Sequence, residues 1–243
     1  MILPARIVEP CYPSSDGQPI ADNTLQFEWI STLKWGLDDL FRDRPDVFVA
    51  GDHLIYPVAD HEEICLAPDV FVAFGRPKGH RSCYRLWDEG GIFPQVIFEV
   101  WSPSNRQQQM TTRFRFYEQH GAEEYYIIYP ERPSFIDGWS RDGNRLLPID
   151  NITTWTSPLL GLRFELFRGN LNIIRPDNTR FLTYVEVRQQ LADERTRANQ
   201  VAAERDAERA RAEQERARAE QEARRAERLA AKLRELGLDP DAN

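Results

Sequence analysis

Lysine is nearly missing from this chain. Only Lys34, Lys78 and Lys232 stand beside 28 arginines among the 31 basic residues of 243. Chemistry that turns on a deprotonable amine therefore has few places to reside, because arginine keeps its charge. Cysteine is scarce as well: Cys11, Cys65 and Cys83 are odd in number and contain no CxxC spacing. That excludes a disulfide framework and a cysteine-rich zinc module. No run approaches the roughly 20 apolar residues of a membrane span, and MILPARIVEP lacks the apolar core of a signal peptide. A soluble, cytoplasmic protein with no membrane partner is expected. There is no GxGxxG or GxxxxGKS/T phosphate loop, no GxSxG elbow and no HExxH pair, which sets aside the chemistries tied to them. His53, His61, His80 and His120 show no zinc spacing and read as surface or loop residues. A net charge of -8 argues against coating nucleic acid by bulk charge.

Glycine, proline and aromatics are absent from one tract alone. Residues 186–235 are mostly Ala, Arg, Glu and Gln and nearly neutral, with 13 basic and 12 acidic side chains. All six tryptophans lie before that tract. Glu208–Gln214 reads ERARAEQ, Glu215–Gln221 repeats it, and EARRAER follows. A seven-residue period on strong helix formers predicts a long helix, either solvated and held by Glu–Arg pairs one turn apart or paired as a coiled coil. Its alanine-rich stripe runs Ala212, Ala219, Ala223, Ala226, Ala230, Leu233, with Leu236 beyond, and Gly237 and Pro240 end it. The expected organisation is an irregular segment 1–22, a core domain 23–182, the helix 183–237 and a tail 238–243.

Within the core domain, Asn23 or Thr24 can cap a helix to about Phe41. Val47–Pro57 reads as one or two strands, and Leu66–Phe74, Gln95–Ser102 and Glu124–Tyr129 each as a strand. A helix fits Gln107–Gln119, stopped by Gly121, and a hairpin turns at Asp142-Gly143. Short strands follow at Leu162–Phe167 and Leu171–Ile174. This order predicts an α/β fold, a mixed (α+β) sheet flanked by helices.

Polar side chains then appear where apolar ones belong. Alternation along Gln95–Ser102 puts Val96, Phe98 and Val100 on one face and Ile97, Glu99 and Trp101 on the other. Glu99 thus sits mid-strand, where a lone buried carboxylate is costly without a compensating cation, metal or proton. Asp69 opens the strand after Pro68, on the face of Phe71 and Ala73. At 100° per residue, Gln26 falls in the apolar stripe of the first helix, and Arg113 lies inward between Met110 and Tyr117 on the second. Two acids, an arginine and an amide suit metal-assisted phosphodiester hydrolysis, in which hard oxygen ligands hold Mg²⁺. They equally suit a structural Glu–Arg pair and a hydrogen-bonded glutamine.

APDVFVAF (67–74), FEVWSPSNR (98–106) and RFRFYEQHGAEEYYIIYPER (113–132) resemble the Uma-type restriction endonucleases of the PD-(D/E)XK nuclease superfamily. The likeness covers roughly residues 20–180. It implies a restriction-endonuclease-like core, Mg²⁺ (or Mn²⁺) held by Asp69, Glu99 and the carbonyl of Val100, and endonucleolytic cleavage of DNA. Arg113 then takes the electrostatic role of a lysine, and Gln26 holds a water or a phosphate oxygen. Two departures stand out: Trp101 occupies the superfamily's lysine position, and Arg113 occupies that of the family's helical lysine. They motivate an alternative, a catalytically degenerate nuclease fold acting in DNA binding or coiled-coil-mediated assembly. The other expected partner is a second copy of the chain, through the domain or the C-terminal helix. The basic loop 75–85, with Arg76, Lys78, Arg81 and Arg85, is the candidate DNA contact.

Overall fold

The computed structural model describes residues 12–235. The first eleven residues, and the expected helix stop at Gly237 and Pro240 with Leu236 before it, lie outside that range. The chain divides into two compact units, Met1–Tyr184 and Val185–Asn243.

The first unit is organised around a six-stranded sheet. Its order is β1 (Val47–Gly51), β3 (Val70–Phe74), β5 (Val96–Val100), β6 (Glu124–Tyr129), β7 (Phe135–Asp142) and β8 (Arg145–Pro148). Only β5 and β6 run parallel, and helix α2 (Gln107–His120) connects them. A parallel step needs such a crossover, whereas antiparallel neighbours can turn directly. They do so at Gly143, whose φ of 58° suits the tight β7–β8 turn. Two small sheets complete the unit: β2 (Ile55–Tyr56) with β4 (Tyr84–Arg85), and β9 (Arg163–Phe167) with β10 (Asn170–Ile174).

Each face of the main sheet has its own core. Helix α1 (Thr24–Leu40), capped by the Asn23 side chain, buries Ile30, Leu33 and Leu37 against Val49, Val70, Val72, Phe98 and Val100. Phe164, Ile173 and Phe181 close that core from the β9–β10 side. On the opposite face α2 buries Met110 and Tyr117 over Phe71, Ile97, Tyr125 and Ile127. Strand β5 is buried along its whole length. Its even residues face α1, and Ile97 faces α2, as the alternation predicts. The strand expected from Leu66 begins only at Val70, because Leu66 instead bridges to Ile55. The result is a mixed α/β sheet flanked by helices.

The second unit is helical. Helix α3 (Tyr184–Glu235) runs 52 residues, about 78 Å at 1.5 Å per residue. Its described side chains are almost all exposed, including Val187, Leu191, Val201 and Leu229. This is one long C-terminal helix.

Candidate functional site

Three of the four residues singled out by periodicity, Asp69, Glu99 and Arg113, converge on the α2 face of β5. Strands β3 and β5 pair Val70 with Phe98 in antiparallel register. One step further along that register, Asp69 comes opposite Glu99. Asp69 Oδ2 accepts a hydrogen bond from the Val100 amide at 2.6 Å. Glu99 is 3% exposed. Its Oε1 accepts from Arg113 Nε at 2.8 Å and from the Tyr117 hydroxyl at 2.5 Å. Arg113 and Tyr117 stand four residues apart on α2, one turn, so both reach the same carboxylate. Arg113 Nη2 also donates to the Ala67 carbonyl, on the approach to β3. The guanidinium therefore ties α2 to both acid-bearing segments.

Gln26 reaches the centre from the other side of the sheet. Its Nε2 donates to the Val100 carbonyl at 2.9 Å, and its Oε1 accepts from the Asp22 amide at 2.8 Å. Both ends of the side-chain amide are thus engaged within the chain, in a residue only 5% exposed. The expected quartet Gln26, Asp69, Glu99 and Arg113 is brought together, and the Val100 carbonyl lies among them.

Electrostatics follows from this burial. Desolvation, reinforced by the charge of Glu99, pushes the Asp69 carboxyl well above its ordinary value, and the Val100 amide and Arg113 only partly oppose it. Burial works against the Arg113 cation, but Glu99 and the neighbouring Tyr117 and Asp69 prevail and hold it protonated. Burial likewise pushes the Tyr117 hydroxyl up. The centre contains one ion pair, one carboxyl driven toward neutrality and protonated phenols.

Three participants were not picked out by sequence reasoning. Tyr117 was read only as an apolar stripe residue, although its four-residue spacing from Arg113 carried the signal. Asp52, with φ of 47°, donates its amide to the Asp69 carbonyl, and its carboxyl is raised first by burial and then by Asp16. Nothing local in the sequence marked it. The hydroxyl of Tyr125 is buried, makes no hydrogen bond to the described chain, and lies in the field of Glu99, Arg113 and Asp69.

The cations of the basic loop are engaged within the chain. Arg76 and Arg81 both bind the buried carboxylate of Glu89, at 2.9 and 2.5 Å. Lys78 donates to the Phe41 carbonyl, and Arg85 pairs with Asp88. These cations fasten the loop to the domain, because one buried carboxylate needs the charge. His53 also departs from a surface role: its ring packs against Phe48 and Phe71, and burial lowers its pKa.

Residues 16–166 match the family described as "Uma2: Putative restriction endonuclease". The chain belongs to this family. The Uma2 match contains Gln26, Asp69, Glu99, Val100 and Arg113, and it ends within β9, ahead of α3. Among solved structures the chain is similar to "a putative nuclease belonging to DUF820 from Anabaena variabilis ATCC 29413". Identity is 13%, the TM-score is 0.43, and the alignment covers 57% of this chain and 75% of that one. No curated protein matches. Among the described residues, no group of three or more His, Cys, Asp or Glu side chains is arranged to hold a metal ion.

Proposed function

We propose that this Uma2 member keeps the nuclease fold, binds DNA and does not hydrolyse it. The observation that carries this reading is the placement of the Arg113 guanidinium on Glu99 and the Ala67 carbonyl. One oxygen of each group that the resemblance assigns to Mg²⁺ already accepts a hydrogen bond from the chain. Glu99 Oε1 accepts from Arg113 and Tyr117, Asp69 Oδ2 from the Val100 amide, and the Val100 carbonyl from Gln26. A divalent ion needs ionised, accessible oxygens at about 2.1 Å. Here one carboxyl is driven toward its neutral form and the other is neutralised by a fixed cation. Such a donor set does not fit a resident Mg²⁺ or Mn²⁺. The charge a metal would supply is supplied by Arg113, which cannot exchange or give up a proton.

The test uses the full chain with supercoiled plasmid and with branched DNA, in Mg²⁺ and in Mn²⁺. Retarded but uncut DNA is the expected result. Nicking that disappears in Asp69→Ala and Glu99→Ala would instead establish a metal-dependent endonuclease.

Assembly through α3 is a second component, favoured by a specific pattern. Val187, Val201 and Leu229 share one heptad position with Glu194, Glu208, Glu215 and Glu222, and Leu191, Ala198, Ala212, Ala219 and Ala226 share another with Arg205. All of these are exposed on the helix. A seam of this kind suits a weak coiled coil between copies, since alanine buries little area.

A further inference from the structure

Beside the acidic centre lies an open-sided groove of about 690 Å³, between α2 and the strands β5, β6 and β7. That volume falls in the range of small-molecule sites. Trp101, Phe114, Tyr129 and Trp139 form its apolar walls, and Met110 and Ile127 lie at its buried base. The Trp101 and Tyr129 rings are 5.7 Å apart and inclined by 34°, and Tyr129 stacks on Phe135 at 4.2 Å. Trp139 packs against Phe114 and Tyr125 at 5.6 and 5.4 Å. Several large rings are therefore fixed in place by their neighbours yet left partly exposed.

The polar groups of the groove sit around this aromatic interior. Asn105, Gln107 and Thr111 come from the start of α2 and the turn before it, and Asp137 from β7. Asn105 spends its Oδ1 on the Ser102 amide, and burial with the nearby charge of Asp137 pushes the Tyr129 hydroxyl up to about 12. Amides and a carboxylate can receive the amino and imino edge of a planar heterocycle, and ring faces can receive its plane. The groove also adjoins the acidic centre through shared elements. Trp101 follows Glu99 by two residues, and Phe114 follows Arg113 by one.

We propose that this groove receives an unpaired nucleobase, stacked on the indole of Trp101, with its edge toward Asp137 and the Asn105 and Gln107 amides. The proposal rests on the reading of this fold as DNA-binding, and it names single-stranded DNA as the source of the base. It also gives Trp101 a role at the position where the superfamily's lysine would stand: a stacking platform in place of an amine.

The experiment titrates the full chain with a short single-stranded oligonucleotide, with the same backbone carrying abasic sites, and with free deoxynucleoside monophosphates. Tryptophan fluorescence and binding constants are read together. The base-containing strand is expected to quench tryptophan and to bind at least about fivefold more tightly than the abasic strand. Trp101→Leu should remove that difference, and Asp137→Ala, a change at an exposed position, should reduce it without threatening the fold. Equal affinity for both strands with unchanged fluorescence would overturn the groove proposal and leave DNA binding intact. Failure of every nucleic acid to bind would sink both readings. Mononucleotides that quench as tightly as the strand uphold the base site and make the free nucleotide its ligand. A change in oligomeric mass for Trp101→Leu, with base binding unaltered, would show the groove to be an interface between copies and overturn the proposal.

Discussion

At the scale of single residues, a centre that is structural responds to substitution differently from one strained for catalysis. Glu99→Gln removes the charge that compensates Arg113 and leaves a buried cation unpaired. Breaking such a pair costs about 3–5 kcal/mol, so Glu99→Gln should unfold at markedly lower urea than the wild type. A stable or stabilised Glu99→Gln would mean that the ion pair does not hold α2 to β5. Asp69 behaves oppositely. Its folded-state pKa is raised above the ordinary 3.8 by burial and by Glu99. The folded protein therefore retains a proton that the unfolded chain has already lost. Its contribution to stability is full below 3.8 and is lost as pH rises toward the folded-state value. Asp69→Asn keeps an oxygen for the Val100 amide and carries no such penalty. The melting temperature of Asp69→Asn should exceed that of the wild type at neutral pH, with the gap closing toward pH 4. A gap that is independent of pH would contradict a protonated Asp69.

At the scale of elements, the packing of α1 makes its own prediction. A Cβ built on Gly36 would lie 2.4–2.8 Å from the ring of Phe181. Gly36→Ala should therefore destabilise by about 1–3 kcal/mol through overpacking, despite the better helix propensity of alanine. Equilibrium denaturation reads the sign directly. What could be read from the sequence was local in origin. The alternation of β5, the stripes of α1 and α2, the Asp142-Gly143 turn and the inward placing of Glu99 and Arg113 all follow from period and turn chemistry. What could not be read depends on distant partners. Leu66 leaves β3 because Ile55 is its partner, and the strand order β1-β3-β5-β6-β7-β8 has no local signature. The pairing of Arg76 and Arg81 with Glu89, a residue only 6% exposed, likewise depends on the fold rather than on local sequence. Gln26 and Val100 belong to different elements 74 residues apart, and only the fold joins them.

At the scale of the whole molecule, charge and lysine content take on a definite meaning. The acidity resides almost wholly in residues 1–185, while residues 186–235 carry 13 basic and 12 acidic side chains. If α3 assembles copies of the chain, truncation after Tyr184 should lower the mass measured by light scattering and leave the thermal transition of the first unit nearly unchanged. An unchanged mass would remove α3 as the assembly device. The scarcity of lysine matters most at one position, where Arg113 provides a permanent cation between the two acid-bearing segments. The most direct measurement is calorimetric titration of Mg²⁺ and Mn²⁺ into the wild-type chain and into Asp69→Asn. A centre closed by Arg113 should give no saturable heat in either protein. Stoichiometric binding to the wild type that vanishes in Asp69→Asn would contradict it.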